Sequence, residues 1–452
     1  MKKPNIVVIL TDDQGAWAAG CYGNSEIHTP HIDKLADTGI RFENFFVATP
    51  VCSPSRATFL TGQIPSQHSI HDWLKNCCIG SEAIDFLKDK VTYTDLLARN
   101  GWKCGFSGKW HVGDSNSPQH GFSDWFVAEG GRYFGCRTIQ NENIVEEPEY
   151  ITDAITDKAL TMLEEYAGSE KPFYLSVHYT APHSPWVDQH PEELTNLYNE
   201  CKFETCPQDY RHPWAQGWIN DNHFGNREAL KGYFAAVTGL DAGVGRIVTR
   251  IEELGLREDT LVVFLSDNGH SCGQHGFWGK GNGTQPRNLY ENSIKVPAIF
   301  SHPGRIEQGI AAQEMISAYD FYPTLLEYCG LPFPAEENNL PGRSFLPVLQ
   351  GKGDASRKNV VVFDEYGPVR MIRTKNWKYI YRHAYGPHEF YDLENDPDEN
   401  RNLIDEPEHQ ERIEDMKKEM DAWFAQYVVS EIDGLRMDGT AHGQTGDPRV
   451  KR

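Results

Sequence analysis

The sequence predicts an α/β protein: a large mixed, mostly parallel sheet sandwiched by helices, with a smaller C-terminal antiparallel sheet plus helix. Three observations predict it. The apolar runs at 6–10, 173–177 and 261–265 lack polar alternation, as expected of strands buried on both faces of a parallel sheet. Between them lie helix-length segments at 93–100, 152–167 and 227–254. After residue 353 the pattern changes to short runs at 360–363, 369–374, 377–382 and 389–391, joined by close turns and followed by an amphipathic helix at 409–428. Proline-rich residues 331–347 and Gly351-Lys352-Gly353 mark the linker, so the first domain is residues 1–352 and the second 353–452.

Composition excludes several classes of partner. The 65 acidic against 43 basic residues give a net charge of −22, which repels nucleic acid and anionic membrane at long range. An anionic substrate therefore requires cations gathered in one cleft. Ten scattered cysteines in 452 residues form no disulfide framework. Cys201, Cys206 and His212 have poor zinc spacing and no fourth ligand. No apolar stretch has membrane-spanning length, and residues 6–10 are too short for a signal peptide. The expected location is cytoplasmic, or periplasmic or secreted if a signal preceded residue 1.

Taken in order, the first strand ends in Thr11-Asp12-Asp13, two acids at the carboxyl edge where open α/β sheets bind ligands. A helix follows at 29–36 and a strand at 41–47. Residues 55–61 form a helical turn or two stopped by Gly62, which places Cys52 near a helix N-terminus. A short strand at 103–107 leads into Gly108-Lys109-Trp110-His111. The 173–177 strand exits into a loop with His178 and His183; His183, flanked by prolines, is the better functional candidate. Residues 188–226 are an irregular insertion, equally suited to a pocket wall or a surface excursion; the stretches expected to shape a substrate pocket are 70–80, 130–140 and 188–226. The 261–265 strand ends in Ser266-Asp267-Asn268-Gly269. The glycine-rich 276–283 lacks the hydroxyl residue a P-loop needs after its lysine, and is expected to be a flexible loop delivering Lys280. A strand at 296–300 and a helix at 319–328 complete the first domain. The tail from 430 to 452 has no periodicity.

Asp12, Asp13, Asp267 and Asn268 are hard oxygen ligands and suit Ca²⁺ or Mg²⁺. Cys52 does not suit such a metal as a thiol. A cysteine phosphatase would need an arginine six residues after the cysteine, where Thr58 stands; the arginine here is Arg56. A papain-like enzyme leaves the acid pairs without purpose.

Cys52-Ser53-Pro54-Ser55-Arg56 resembles the Cys-x-Pro-x-Arg signature of the type I, formylglycine-dependent sulfatases of the alkaline-phosphatase-like superfamily. The resemblance extends from Asn5 to about Leu403 and takes in the two acidic strand ends, Gly108–His111, Ala181-Pro182-His183, Trp278-Gly279-Lys280, Phe390-Tyr391-Asp392-Leu393 and Asp396-Pro397. It implies that Cys52 is oxidised to formylglycine by a maturation enzyme. Asp12, Asp13, Asp267, Asn268 and the modified Cys52 would hold one divalent cation, Ca²⁺ or alternatively Mg²⁺. One hydroxyl of the hydrated aldehyde would attack sulfur. Arg56 would stabilise that nucleophile, Lys109 and Lys280 the sulfate oxygens, and His183 would protonate the leaving oxygen. His111 would take the proton of the remaining hydroxyl and release sulfate. The implied substrate is a small sulfated mono- or oligosaccharide, with no nucleic-acid or membrane partner. Two alternatives stand beside it: a phosphonate or phosphate ester hydrolase on the same scaffold, and a non-catalytic, metal-bound glycan-binding protein with Cys52 unmodified.

Overall fold

The computed structural model describes residues 2–140, 143–333, 339–353, 357–363, 367–436 and 443–450. Its first strands are β1 (Asn5–Thr11), β2 (Ile40–Phe46), β3 (Lys103–Gly108), β4 (Asp124–Glu129), β5 (Cys136–Gln140) and β6 (Asn143–Glu147). There follow β7 (Phe173–His178), β8 (Thr260–Ser266), β9 (Ser271–Cys272), β10 (Trp278–Gly279), β11 (Ala298–Ser301) and β12 (Ile310–Ser317). Ten of them form one sheet in the order β12-β2-β11-β8-β1-β7-β3-β4-β5-β6. The central block β8-β1-β7-β3-β4 is parallel throughout. This is the predicted large mixed sheet.

Alternation within β1 explains its apolar run. Val7 and Ile9 enter a core with Ile32, Ile155 and Leu240, from the helices Pro30–Asp37, Ile151–Ala167 and Arg227–Glu253. Ile6, Val8 and Leu10 enter the opposite core with Leu60, Leu97 and Leu325, from Cys52–Thr61, Tyr93–Arg99 and Phe321–Tyr328. Both faces are covered, so Ile6 to Leu10 are apolar without alternation. The register then places the chemistry: Thr11 pairs with Ser266 and Leu10 with His178, so three strand exits open at one edge.

The second sheet is antiparallel, β13 (Asn359–Phe363), β14 (Val369–Thr374), β15 (Trp377–Arg382) and β16 (Glu389–Asp392) in sequence order, as predicted. Val360, Val362, Met371 and Ile380 join the main core. Val361, Ile372 and Phe390 pack on Ile413, Met420 and Phe424 of the helix Gln410–Tyr427. Residues 334–338 of the expected linker and 437–442 of the tail lie outside the described residues. No described helix is long and apolar enough to cross a membrane.

Two expectations need correction. The helix after the second strand begins at Cys52, three residues early, because Pro54 is tolerated in a first turn whose amide is unpaired anyway. The 276–283 segment is anchored, not flexible. β10 pairs with β9, and the Trp278 amide donates to Asn220 Oδ1 at 2.7 Å. Sequence patterns missed β12 and the β4–β6 edge.

Asp241 shows how the helices are tied together. From the helix Arg227–Glu253 its Oδ1 accepts the amides of His31 (3.1 Å) and Ile32 (2.8 Å), at the start of the helix Pro30–Asp37. Asp241→Ala strands these amides, one of them buried, and is expected to cost about 1–3 kcal/mol, read as a lower melting temperature. An unchanged melting temperature would refute this.

Candidate active site

The site lies at the carboxyl edge of β1, β7, β3 and β8. Asp12 and Asp13 follow β1, Asp267 and Asn268 follow β8, and the Asp267 amide donates to Thr11 O at 3.0 Å. Asp13 adopts a left-handed backbone, φ 65°, which turns its side chain back toward Asp267. Its amide donates to Asp267 Oδ1 at 3.3 Å. One oxygen each from Asp12, Asp13 and Asp267 lies within 4.8 Å of the others. Asn268 Nδ2 donates to Asp13 Oδ1 at 2.7 Å, and its own Oδ1 faces Lys280 Nζ at 3.2 Å.

Three buried cations face this cluster. Arg56, one helical turn after Cys52, donates from Nε to Asp267 Oδ2 at 2.8 Å, and its Nη2 lies 3.5 Å from Asp12 Oδ2. Lys109 donates to Asp12 Oδ2. Lys280 donates to Asp13 Oδ1 at 2.5 Å and lies 3.0 Å from Cys52 Sγ. Burial opposes charge on both lysines, but Asp12 and Asp13 outweigh it and hold their pKa values above the ordinary range. Burial, together with Asp12, pushes the Cys52 thiol up to about 12. The thiol is therefore neutral near pH 7 and is a poor nucleophile as it stands.

Lys109 is set by a glycine. Gly108 has φ 123°, and a Cβ there would lie 1.9 Å from His178 O, so the strands can approach only without a side chain. The Lys109 amide then donates to that carbonyl at 2.8 Å.

The two predicted histidines have tautomers fixed by carbonyls, which can only accept. His183 Nδ1 lies 2.7 Å from Ser184 O and must donate, so Nε2 is the free nitrogen, 3.8 Å from Asp13 Oδ2. His111 Nε2 lies 3.1 Å from Leu74 O and must donate, leaving a buried Nδ1 without a partner. His111 also sits at φ 56°, an uncommon backbone for a non-glycine residue. Burial and Lys109 push its pKa down, so the neutral ring is the resting form. His178, set aside at the sequence level, is buried, with Nδ1 3.4 Å from Arg56 Nη1.

All ten predicted site residues, including His111 and His183, thus gather at one edge. His270 escaped notice. It is buried 3.6 Å from Asp13 Oδ2, with neither ring nitrogen hydrogen-bonded. Its position two residues after Asn268 was the available signal.

Above Cys52 opens a cleft of about 760 Å³ whose outer wall includes Trp73, Lys75, Gln216, Trp218 and Arg287. Gln216 and Trp218 come from the 188–226 insertion, which favours the pocket-wall expectation. The described residues of 130–140 line none of it; Tyr133 instead donates to His183 O at 2.8 Å. Cys201, Cys206 and His212 form no metal-ligating group among the described residues.

Donor chemistry fits a hard divalent cation. The carboxylates are buried, Asp12 Oδ1 has no hydrogen-bond partner, and no soft ligand besides Cys52 is present.

The chain belongs to the sulfatase family, whose model matches residues 4–331, and it is a sulfuric ester hydrolase. A second model, N-sulphoglucosamine sulphohydrolase, C-terminal, matches residues 273–426. The chain is similar to an N-acetylglucosamine-6-O-sulfatase of Bacteroides thetaiotaomicron, at 26% identity over 96% of this chain and 88% of the relative. It is similar to human arylsulfatase A at 29% identity, over 89% and 84%. Among solved structures, one in complex with its substrate D-glucosamine-2-N,6-O-disulfate superposes with a TM-score of 0.81 at 25% identity, covering 96% of this chain and all of the other. The fold is that of the alkaline-phosphatase-like sulfatases.

Proposed function

We propose that this sulfatase hydrolyses the sulfate ester of a small carbohydrate, with Cys52 converted to formylglycine by a maturation enzyme and one Ca²⁺ held by Asp12, Asp13, Asp267 and Asn268. The observation that carries it is the convergence of three buried carboxylates beside Cys52, Lys109 and Lys280. Charge supports it too. Three carboxylates face three cations, Arg56, Lys109 and Lys280, so the cluster is neutral by itself. A divalent ion makes it doubly positive, matched to an anionic ester and its sulfate product. The −22 of the whole chain is thereby overridden locally.

When bound, the cation would acidify the hydroxyl of the modified residue and polarise the sulfate. The remaining steps belong to side chains. Lys109 and Lys280 hold the ester oxygens. Arg56 keeps Asp267 and Asp12 ionised and in place. His183 takes up a proton at Nε2 against burial, which lowers its pKa, with Asp13 and Asp12 favouring the charged ring, and gives that proton to the leaving oxygen. His111 Nδ1 receives the proton when sulfate departs.

A carbohydrate is supported by the relatives' substrates and by Trp73 and Trp218 on the cleft wall, flat faces suited to a sugar ring. The test is the mass of the Cys52 peptide after expression with a maturation enzyme, with rates on aryl sulfate and aryl phosphate. Unmodified cysteine, or faster phosphate turnover, would overturn the proposal.

His183→Ala is expected to lower turnover of sugar sulfates by about 100-fold or more, and of activated aryl sulfates much less. Equal losses on both would remove the acid role.

A further inference from the structure

We propose that Gln444, in the C-terminal tail, is a positioning residue of the active site, holding the 69–75 loop so that Trp73 and Lys75 face the cleft and the Leu74 carbonyl fixes His111. The inference rests on the carbohydrate sulfatase function above.

Gln444 is buried, 4% exposed, although it lies eight residues from the chain end. Every polar group it has is used. Its Oε1 accepts the His71 amide at 2.8 Å and faces that of Asp72 at 3.4 Å. Its Nε2 donates to Ser69 O at 2.9 Å and to Gly446 O at 3.0 Å. Its amide donates to Trp73 O at 2.8 Å, and its carbonyl accepts from Lys75 N at 2.9 Å. The tail thus adds a one-residue strand to the loop, with Gln444 paired to Leu74 in parallel. Gly443, at φ 86°, lets this happen, because a Cβ there would lie 2.8 Å from the Trp73 ring.

The loop needs such a tie. It contains no helix or strand of its own after Ser69, itself at φ 70°. From inside, it is held by Leu74 N donating to Ser53 Oγ at 3.1 Å, next to Cys52. Two functional outputs leave it. One is the Trp73 and Lys75 wall of the cleft. The other is Leu74 O, which pins His111 Nε2 and so leaves Nδ1 as the proton acceptor. A tail residue some 370 positions away in sequence therefore sets the rotation of both.

Matured protein bearing Gln444→Ala, and separately the isosteric Gln444→Glu, is compared with wild type. Gln444→Glu keeps the acceptor for His71 and loses the donor to Ser69. Amide hydrogen exchange is expected to rise at His71, Trp73 and Lys75 in Gln444→Ala, and to rise less in Gln444→Glu. Both variants are expected to lose kcat/KM on a sulfated glucosamine by about tenfold or more, in KM through the wall and in kcat through His111, the wall's share being absent on a small aryl ester. On 4-nitrophenyl sulfate the loss is expected to be smaller. A Trp73→Ala background supplies the cycle: the double variant loses little beyond Trp73→Ala alone if Gln444 acts through that wall. Fully additive losses, equal losses on both substrates, or unchanged exchange at His71 overturn the proposal. Failure of the carbohydrate function has a different signature: wild type hydrolyses the aryl ester but no sulfated sugar. The exchange measurement and the cycle on the aryl ester then still decide Gln444.

Discussion

Cys52→Ala abolishes sulfate-ester turnover while leaving the fold intact. The expected loss exceeds about 10⁴-fold, since the nucleophile itself is removed. Stability should change little: the side chain is small, its Sγ contacts Lys280 Nζ, and alanine suits a helix. Cys52→Ser is the sharper control. It supplies one hydroxyl at the same position but no second one. A serine could take up the sulfate group yet could not expel it, so a single stoichiometric burst without turnover is expected. Mass spectrometry of the reacted protein and of released alcohol reads this directly. Sustained turnover by either variant would contradict the role given to Cys52. The structure adds a reason why an unmodified thiol fails. Burial among carboxylates keeps it protonated near neutral pH, so the site that would activate a hydroxyl disfavours a thiolate.

Asp12→Asn is expected to lower turnover by more than about 100-fold, because it weakens the hold on the cation and leaves Lys109 without its counter-charge. Asp12 has two tasks in the geometry. Its Oδ2 pairs with Lys109 and lies near Arg56, while its Oδ1 is buried without a hydrogen-bond partner. Asparagine keeps an oxygen for a cation but no longer neutralises the lysine. The variant should therefore need more Ca²⁺ for the same occupancy, and a calcium-dependent rise in melting temperature should shift to higher concentration. In wild type, dialysis against a chelator should remove activity and added Ca²⁺ restore it. Full activity in protein shown to be metal-free by elemental analysis would rule out the cation. Mg²⁺ gives a comparison of its own. Its strict octahedral geometry fits this mixed carboxylate and amide set less readily than the looser shell of Ca²⁺, so weaker rescue is expected.

Much of the site was legible because its signals are local. A strand buried on both faces writes itself as an apolar run, and the residue after such a run sits at a sheet edge. Asp12-Asp13 and Asp267-Asn268 could be read that way without knowing that β1 and β8 are neighbours. Lys109 and His111 followed the same rule after β3. His183 was separable from His178 by its flanking prolines alone. The Cys52 signature added what no pattern of burial contains, namely the modification proposed for it.

His270 was missed because a histidine beside a motif has no distinguishing local pattern; its meaning comes from standing 3.6 Å from Asp13. Trp73 and Lys75 lie within the 70–80 stretch expected to shape the pocket, but no local pattern singled them out, or Gln444 in the tail that holds them. β12 is an edge strand, half exposed, with a bulge between Ala312 and Met315 that breaks its alternation. β6 is mostly exposed, its Ile144 and Val145 included, and is too short and too polar at its ends to show an alternating pattern.

By itself, then, the sequence determined the architecture and singled out the acidic strand ends proposed as metal ligands and the cysteine proposed as the nucleophile's precursor, since each depends on periodicity or on a contiguous motif. Tertiary structure alone decided the balance of three carboxylates against three cations, the histidine tautomers, the cleft wall and the place of the tail. These arise from contacts between residues tens to hundreds of positions apart, and such contacts leave no periodic trace in the chain.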